Sequence, residues 1–197
     1  MPGISLRDLL LGDAPHDLNA IMSEVGMILS KTTAHEFPKA GFLNKDLEVV
    51  SYDSSDVIKF AQDCLNDKTV LSVLSPEMID EIKKAIKQYA YLFPTDGEKH
   101  LVHGDFDPAN ILVDKINDSW VVTGILDWEF AFSGSCLWDV ANMLRYAHRM
   151  PPEFQSSFIV TIHSPLRYGA QKANQEISYL NKINMLSTAT SCLYRFR

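Results

Sequence analysis

"LVHGDFDPANILVD", residues 101–114, sets Asp105, Asp107 and Asn110 in a short polar stretch and follows them at once with an apolar run. A second apolar run, "SWVVTGILDW" at residues 119–128, comes after the turn "KIND" at 115–118. Two short apolar runs joined by a polar turn predict a β-hairpin, with Val113 and Val121 flanking it. A hairpin brings the start of its first strand beside the end of its second. Asn110 enters the first and Asp127 leaves the second, so the two become neighbours. Asp105, five residues before Asn110, reaches the same space from the loop. Singly, each is an ordinary turn residue that bonds its own backbone. Together they offer an amide oxygen and a carboxylate, hard ligands suited to Mg²⁺, beside a carboxylate that accepts a proton from a hydroxyl. One base next to two metal ligands is the working set for phosphoryl transfer.

Outward from the hairpin the chain reads as mainly helical. Ser5 with Asp8 resembles a capping box, and Gly12 closes the short helix that follows. A longer helix is expected from about Pro15 to Thr33, with Ile21, Val25, Ile28 and Leu29 on its apolar face. "HEFPKAGFLNKDLE", residues 35–48, reads as a loop. Residues 54–66 predict a helix with Val57, Phe60, Ala61 and Leu65 inward. Ser75-Pro76 gives N-cap and first turn to a helix that runs to about Leu92, with Ile79, Ile82, Ile86, Tyr89 and Ala90 as its stripe. "HLVHG" is a short strand, and helices are expected at roughly 136–148, 151–163 and 172–191. The fold class is therefore α+β, mainly helical, with one small hairpin. Nothing marks a linker, so residues 1–197 read as a single domain.

Composition narrows the classes. Hydrophobic residues are 46% and charged residues 22% of the 197, ordinary for a globular chain. The net charge of −7 argues against a nucleic-acid partner. Cys64, Cys136 and Cys192 are scattered, which suggests neither a disulfide framework nor a zinc site and fits a reducing cytoplasm. The longest apolar stretches fall short of the roughly 20 residues a membrane span needs.

The order His103-Gly104-Asp105, then Asn110, then Asp127 matches the kinase-fold signature H-x-D-x-x-x-x-N followed by a strand-end Asp. "HGDFDPANILV" followed by "GILDWEFAFSGSCLWDVANMLR" resembles the aminoglycoside phosphotransferase family, a branch of the protein-kinase-like fold that also holds choline kinases. In that family Gly stands where protein kinases carry Arg, and I-D-[WF] replaces D-F-G. The likeness is strongest over about residues 100–146. It implies Asp105 as catalytic base, and Asn110 and Asp127 as ligands of Mg²⁺ that bridges the phosphates of ATP or GTP. His103 would structure the loop. Asp139 would bond the catalytic-loop backbone, or else simply meet the dipole of the helix it begins. Asp107 and Glu129 are candidate contacts for a cationic, hydroxylated small-molecule acceptor, or solvated loop charges. Trp128 reads as packing.

The resemblance also implies what this sequence does not display. No G-x-G-x-x-G occurs before residue 100, and Lys31, Lys39, Lys45 and Lys59 sit on helix or loop segments rather than in an apolar strand. "MPGISLRDLL" resembles the segment that follows the hinge in this family. The expectation is a protein-kinase-like C-lobe without its N-lobe, with an upper face that favours a separate N-lobe chain or self-association. Two functions follow: a small-molecule kinase, or a pseudoenzyme or ligand-binding C-lobe module. A metal-dependent hydrolase explains the carboxylates but not their order.

Overall fold

The hairpin forms because two residues accept the left-handed backbone that a two-residue turn demands. In the computed structural model, which describes residues 3–50, 57–90 and 98–162, β5 (Ile111–Ile116) runs antiparallel to β6 (Ser119–Ile125). Asn117 and Asp118 join them at φ 49° and 62°. Positive φ at both central positions is the turn that matches strand twist, and Asn and Asp tolerate it better than most residues. The register runs from Ile111↔Ile125 to Ile116↔Ser119, with a bulge beside Leu112 and Val113. Next to the bulge, the Val122 N–H donates to the Glu24 carboxylate at 3.0 Å.

A third strand, β1 (Ile4–Ser5), pairs with the other edge of β5. It leads directly into α1 (Leu6–Leu11), and Ser5 caps that helix by accepting from the Asp8 N–H at 3.0 Å, as the sequence suggested. The long helix α2 (Leu18–Thr32) starts later than expected because Asp17 caps it, accepting from the Ala20 N–H at 3.1 Å. Ile21, Val25 and Leu29 are buried, as their spacing required.

The stretch 35–48 is not merely a loop. It contains β2 (Gly41–Leu43), which pairs with β3 (Val49–Val50) across a turn organised by the Asn44 side chain. β2 also pairs with β7 (Phe132–Gly134), and β7 with β4 (His100–Val102), giving the order β3-β2-β7-β4. Strands of two or three residues show no alternation to read, and the pairing of β7 with β2 and β4 is long-range. Between β3 and β4 in sequence lie α3 (Val57–Cys64), α4 (Lys68–Val73) and α5 (Pro76–Tyr89). α4 was not expected; Asp67 caps it. Ser75 caps α5 as predicted, and Ile82 and Ile86 pack with Ala61 and Leu65 in a small core. Ala90 is exposed rather than part of the stripe, because α5 ends at Tyr89. The side chains of Val57, Phe60 and Tyr89 lie outside the described set, as does the helix expected at 172–191.

α6 (Leu137–Leu144) and α7 (Pro152–Thr161) complete the described fold. α7 lies along α2 so closely that a Cβ on Gly26 would overlap Thr161 and the Phe158 carbonyl. The main core joins α1, α2, β5, α6 and α7 through residues such as Leu9, Met22, Ile111, Val140 and Phe158. No described helix is long and apolar enough to cross a membrane.

Candidate active site

Two segments cross side by side between the two sheets. One leaves β4 at Val102 and enters β5 at Ile111; the other leaves β6 at Ile125 and enters β7 at Phe132. The first carries His103, Asp105, Asp107 and Asn110, and the second carries Asp127 and Glu129. Phe106 anchors the first segment. It sits between two aspartates yet is fully buried in the main core, so the acidic residues on either side are held toward the surface.

Asp107 accepts from the Ala109 N–H at 3.0 Å and so caps the 3₁₀ turn Pro108–Asn110. The turn delivers Asn110 to the hairpin, where its carbonyl accepts from the Leu126 N–H at 2.8 Å. Asn110 therefore lies beside the residue that precedes Asp127. Its Nδ2 donates to the Asp105 carbonyl at 2.9 Å and to Asp105 Oδ2 at 3.1 Å. That directs both donors at Asp105 and leaves Oδ1 as an acceptor. Asp127 turns the chain out of β6 at φ 63°, and its side chain is exposed with no donor bonded to it among the described residues. No group of three or more His, Cys, Asp or Glu among the described residues makes a closed metal cage. An amide oxygen and one carboxylate nevertheless fit Mg²⁺, which keeps waters and takes phosphate oxygens for the rest of its shell.

The support beneath is more elaborate than the sequence revealed. His103 is completely buried; its Nε2 lies 2.8 Å from the Leu126 carbonyl and its Nδ1 accepts from the Asp105 N–H at 3.2 Å. One nitrogen donates and the other accepts, which is the neutral imidazole. Burial lowers the His103 pKa, against the pull of the Leu126 carbonyl and the Asp105 and Asp127 charges. Trp128, 4.5 Å from the His103 ring between centroids, packs on it and remains partly exposed. The ring thus links the two crossing segments.

Asp139, buried in the first turn of α6, accepts from the His103 N–H at 2.8 Å and the Gly104 N–H at 2.9 Å. Its pKa is pushed up to about 7 by burial, which outweighs those two bonds. Gly104 has φ +84°, and a Cβ there would overlap the Phe130 carbonyl oxygen. Only glycine meets both demands, which accounts for the H-G-D order. Asn142 was not singled out from the sequence. It is buried, and its Nδ2 donates to the Gly104 carbonyl at 2.9 Å. The available signal was a second polar residue three positions after Asp139 in an apolar helix, hence on the same face. Glu129 is exposed on the second segment. Burial pushes the Cys136 thiol up to about 12, so it is no nucleophile at neutral pH.

The chain resembles known proteins in family and in fold. The family model described as the phosphotransferase enzyme family matches residues 1–171. A thermostable mutant of aminoglycoside phosphotransferase APH(4)-Ia, in ternary complex with ADP and hygromycin B, superposes with a TM-score of 0.57 at 19% identity, over 95% of this chain and 69% of that one. Another thermostable mutant of that protein, with AMP-PNP and hygromycin B, gives a TM-score of 0.59 at 17% identity over the same shares. APH(4)-Ia itself gives 0.56 at 18% identity, again over 95% and 69%. At such identities the likeness is one of fold. No curated protein sequence matches the chain. A family match over most of its length, on a kinase-like fold, places the chain in the phosphotransferase enzyme family.

Proposed function

We propose that the site transfers the γ-phosphoryl group of ATP or GTP to a hydroxyl of a small molecule. The observation that carries this reading is the contact between Asn110 and Asp105, with Asn110 tied through Leu126 to the residue before Asp127. A base and two oxygen ligands then share one surface. Mg²⁺ at Asn110 Oδ1 and the Asp127 carboxylate would neutralise charge on the nucleotide phosphates. Asp105 accepts the acceptor hydroxyl's proton as its oxygen attacks, and the Asn110 amide holds the Asp105 carboxylate in place. His103, Asp139 and Phe106 fix the loop so that little reorganisation is left for the reaction, and positioning supplies most of the rate in this chemistry.

The acceptor class is a cationic, hydroxylated small molecule. Asp107 and Glu129 lie on the two segments that carry Asp105 and Asp127, and the net charge of −7 favours a cation. Asp107 already spends one carboxylate oxygen on the Ala109 N–H, so Glu129 is the freer of the two. The aminoglycoside phosphotransferase structures that share the fold hold hygromycin B with ADP or AMP-PNP. A soluble cytoplasmic enzyme is the setting we infer.

The second reading is a binding module without catalysis, or a C-lobe that functions with a separate nucleotide-covering lobe or through self-association. Residues 1–99 carry no G-x-G-x-x-G of their own. Calorimetric titration of Mg²⁺-ATP and Mg²⁺-GTP into the purified chain separates the two. Micromolar, Mg²⁺-dependent binding followed by phosphorylation of an aminosugar supports the kinase. Absence of Mg²⁺-dependent binding to either nucleotide sinks it for this chain alone.

A further inference from the structure

Asn142 sits behind the catalytic loop on the same face of α6 as Asp139. Its amide bridges two groups: Nδ2 donates to the Gly104 carbonyl at 2.9 Å, and Oδ1 accepts from an Arg145 guanidinium nitrogen, Nη2, at 2.6 Å. The Gly104 carbonyl belongs to the peptide unit that joins Gly104 to Asp105. The other end of that unit, the Asp105 N–H, donates to His103 Nδ1 at 3.2 Å. The peptide plane immediately before Asp105 is thus pinned at both ends, at its oxygen by Asn142 and at its nitrogen by His103. Asp139 holds the preceding N–H groups of His103 and Gly104.

This plane decides where Asp105 points. Gly104, at φ +84°, has more rotational freedom than any other residue in the loop. Without a partner for its carbonyl, the plane can swing about the glycine and carry the Asp105 side chain with it. Arg145 completes the device. An amide is nearly symmetrical in shape, and either end fits the same space. The cation at Oδ1 fixes which end faces Gly104, because a guanidinium only donates. Arg145 Nε is buried with no partner among the described residues, so the Nη2 bond to Asn142 is the guanidinium contact the positioning rests on.

We propose that Asn142, oriented by Arg145, is a positioning residue that sets the direction of the Asp105 carboxylate. The inference rests on Asp105 being the base under the proposed function. Asn142 touches neither substrate nor metal in that reading.

The test uses the whole chain and two variants. Asn142→Leu keeps the side-chain size and removes both bonds. Asn142→Asp keeps an acceptor for Arg145, adds a charge beside it and loses the donor to Gly104. Backbone amide NMR reads the Asp105 N–H shift and its hydrogen exchange. Steady-state transfer from Mg²⁺-nucleotide reads kcat and KM separately. In both variants the Asp105 N–H is expected to shift and to exchange at least about tenfold faster, while the amides of α2 and α7 keep their protection. Misplacing the base by about 1 Å should lower kcat by roughly 10- to 100-fold, with nucleotide KM within about threefold of the parent. Arg145→Met should give the same pattern to a smaller degree. An unchanged Asp105 amide in a folded Asn142→Asp overturns the proposal, as does a parent-like kcat. Should the parent chain transfer phosphate to no acceptor, the kinase reading fails by itself, and the Asp105 amide still decides the positioning role.

Discussion

Asp105 and Asn110 are bonded to each other, yet they depend on the contact to different degrees. The Asn110 Nδ2 also reaches the Asp105 carbonyl, a partner that no side-chain change removes. Asp105→Ala should therefore leave the loop in place and cost less than about 1 kcal/mol of stability, while abolishing phosphoryl transfer; full activity in that variant, assayed with a panel of aminosugars, removes it as the base. Asp127 is a different case, because its backbone is left-handed at φ 63°. Alanine there adds backbone strain of roughly 1–2 kcal/mol, so Asp127→Asn is the cleaner probe. It keeps a residue tolerant of that conformation and removes only the charge. Titration calorimetry with and without Mg²⁺ should show that the variant loses the Mg²⁺-dependent part of nucleotide affinity; an unchanged Mg²⁺ dependence sinks the metal assignment. The residues named from sequence at this scale were those with polar side chains in an ordered motif. Phe106 and Gly104 carry as much of the geometry, one through burial and the other through backbone freedom. Neither property appears in a list of chemically active residues.

At the scale of elements, the hairpin and the strand read at "HLVHG", which is β4, were legible, and the rest of the second sheet was not. The runs 111–116 and 119–125 are short apolar stretches on either side of a polar turn, so local pattern and pairing coincide. β2, β3, β4 and β7 are two or three residues long; β2 and β3 meet locally, but the sheet is completed by partners far away in the chain, Phe42 with Phe132 for example. The hairpin's turn offers a direct probe of this local determination. Asp118 holds φ 62°, and its side chain is almost fully exposed while that of Lys115 is about half exposed, so their ion pair contributes little. Asp118→Gly should then raise stability by about 0.5–1 kcal/mol, read by urea denaturation, and leave nucleotide binding unchanged; a loss of stability would mean that the Lys115 contact outweighs the turn. The loop before the hairpin obeys the opposite logic. Phe106→Ala opens a cavity in the main core, and such truncations cost about 3–5 kcal/mol. It should also weaken nucleotide binding, because the same side chain holds Asp105 and Asn110 to the surface; unaltered binding in a destabilised variant would separate the core from the site.

For the whole molecule, the site imposes a pH dependence that its buried groups make opposite in sign. Asp139 titrates at about 7 in the fold against an ordinary value near 4, because burial disfavours its charge. Its stabilising contribution is complete below the unfolded value and is lost as pH rises toward 7, since the folded state binds the proton more tightly in that window. His103 shifts the other way. Burial lowers its pKa, so its contribution is present above the ordinary histidine value of about 6.5 and is lost as pH falls below that toward the folded value. Each group can change the slope of stability by at most one proton, and just below the ordinary histidine value of about 6.5 the two oppose one another. The parent chain should therefore show a flatter profile than either variant. Asp139→Asn removes the term that falls with pH and gives one backbone N–H an amide nitrogen instead of an acceptor. Its stability deficit relative to the parent should be largest near pH 5 and should shrink toward pH 7.5. His103→Gln retains a donor for Leu126 and removes the titrating ring, so its deficit should run in reverse, smallest near pH 5 and growing toward neutrality. Urea denaturation of the three chains at pH 5, 6 and 7.5 reads both trends. A deficit in Asp139→Asn that is constant across the range would mean that the carboxylate stays ionised in the fold, stabilised by the His103 and Gly104 N–H groups beyond what burial removes.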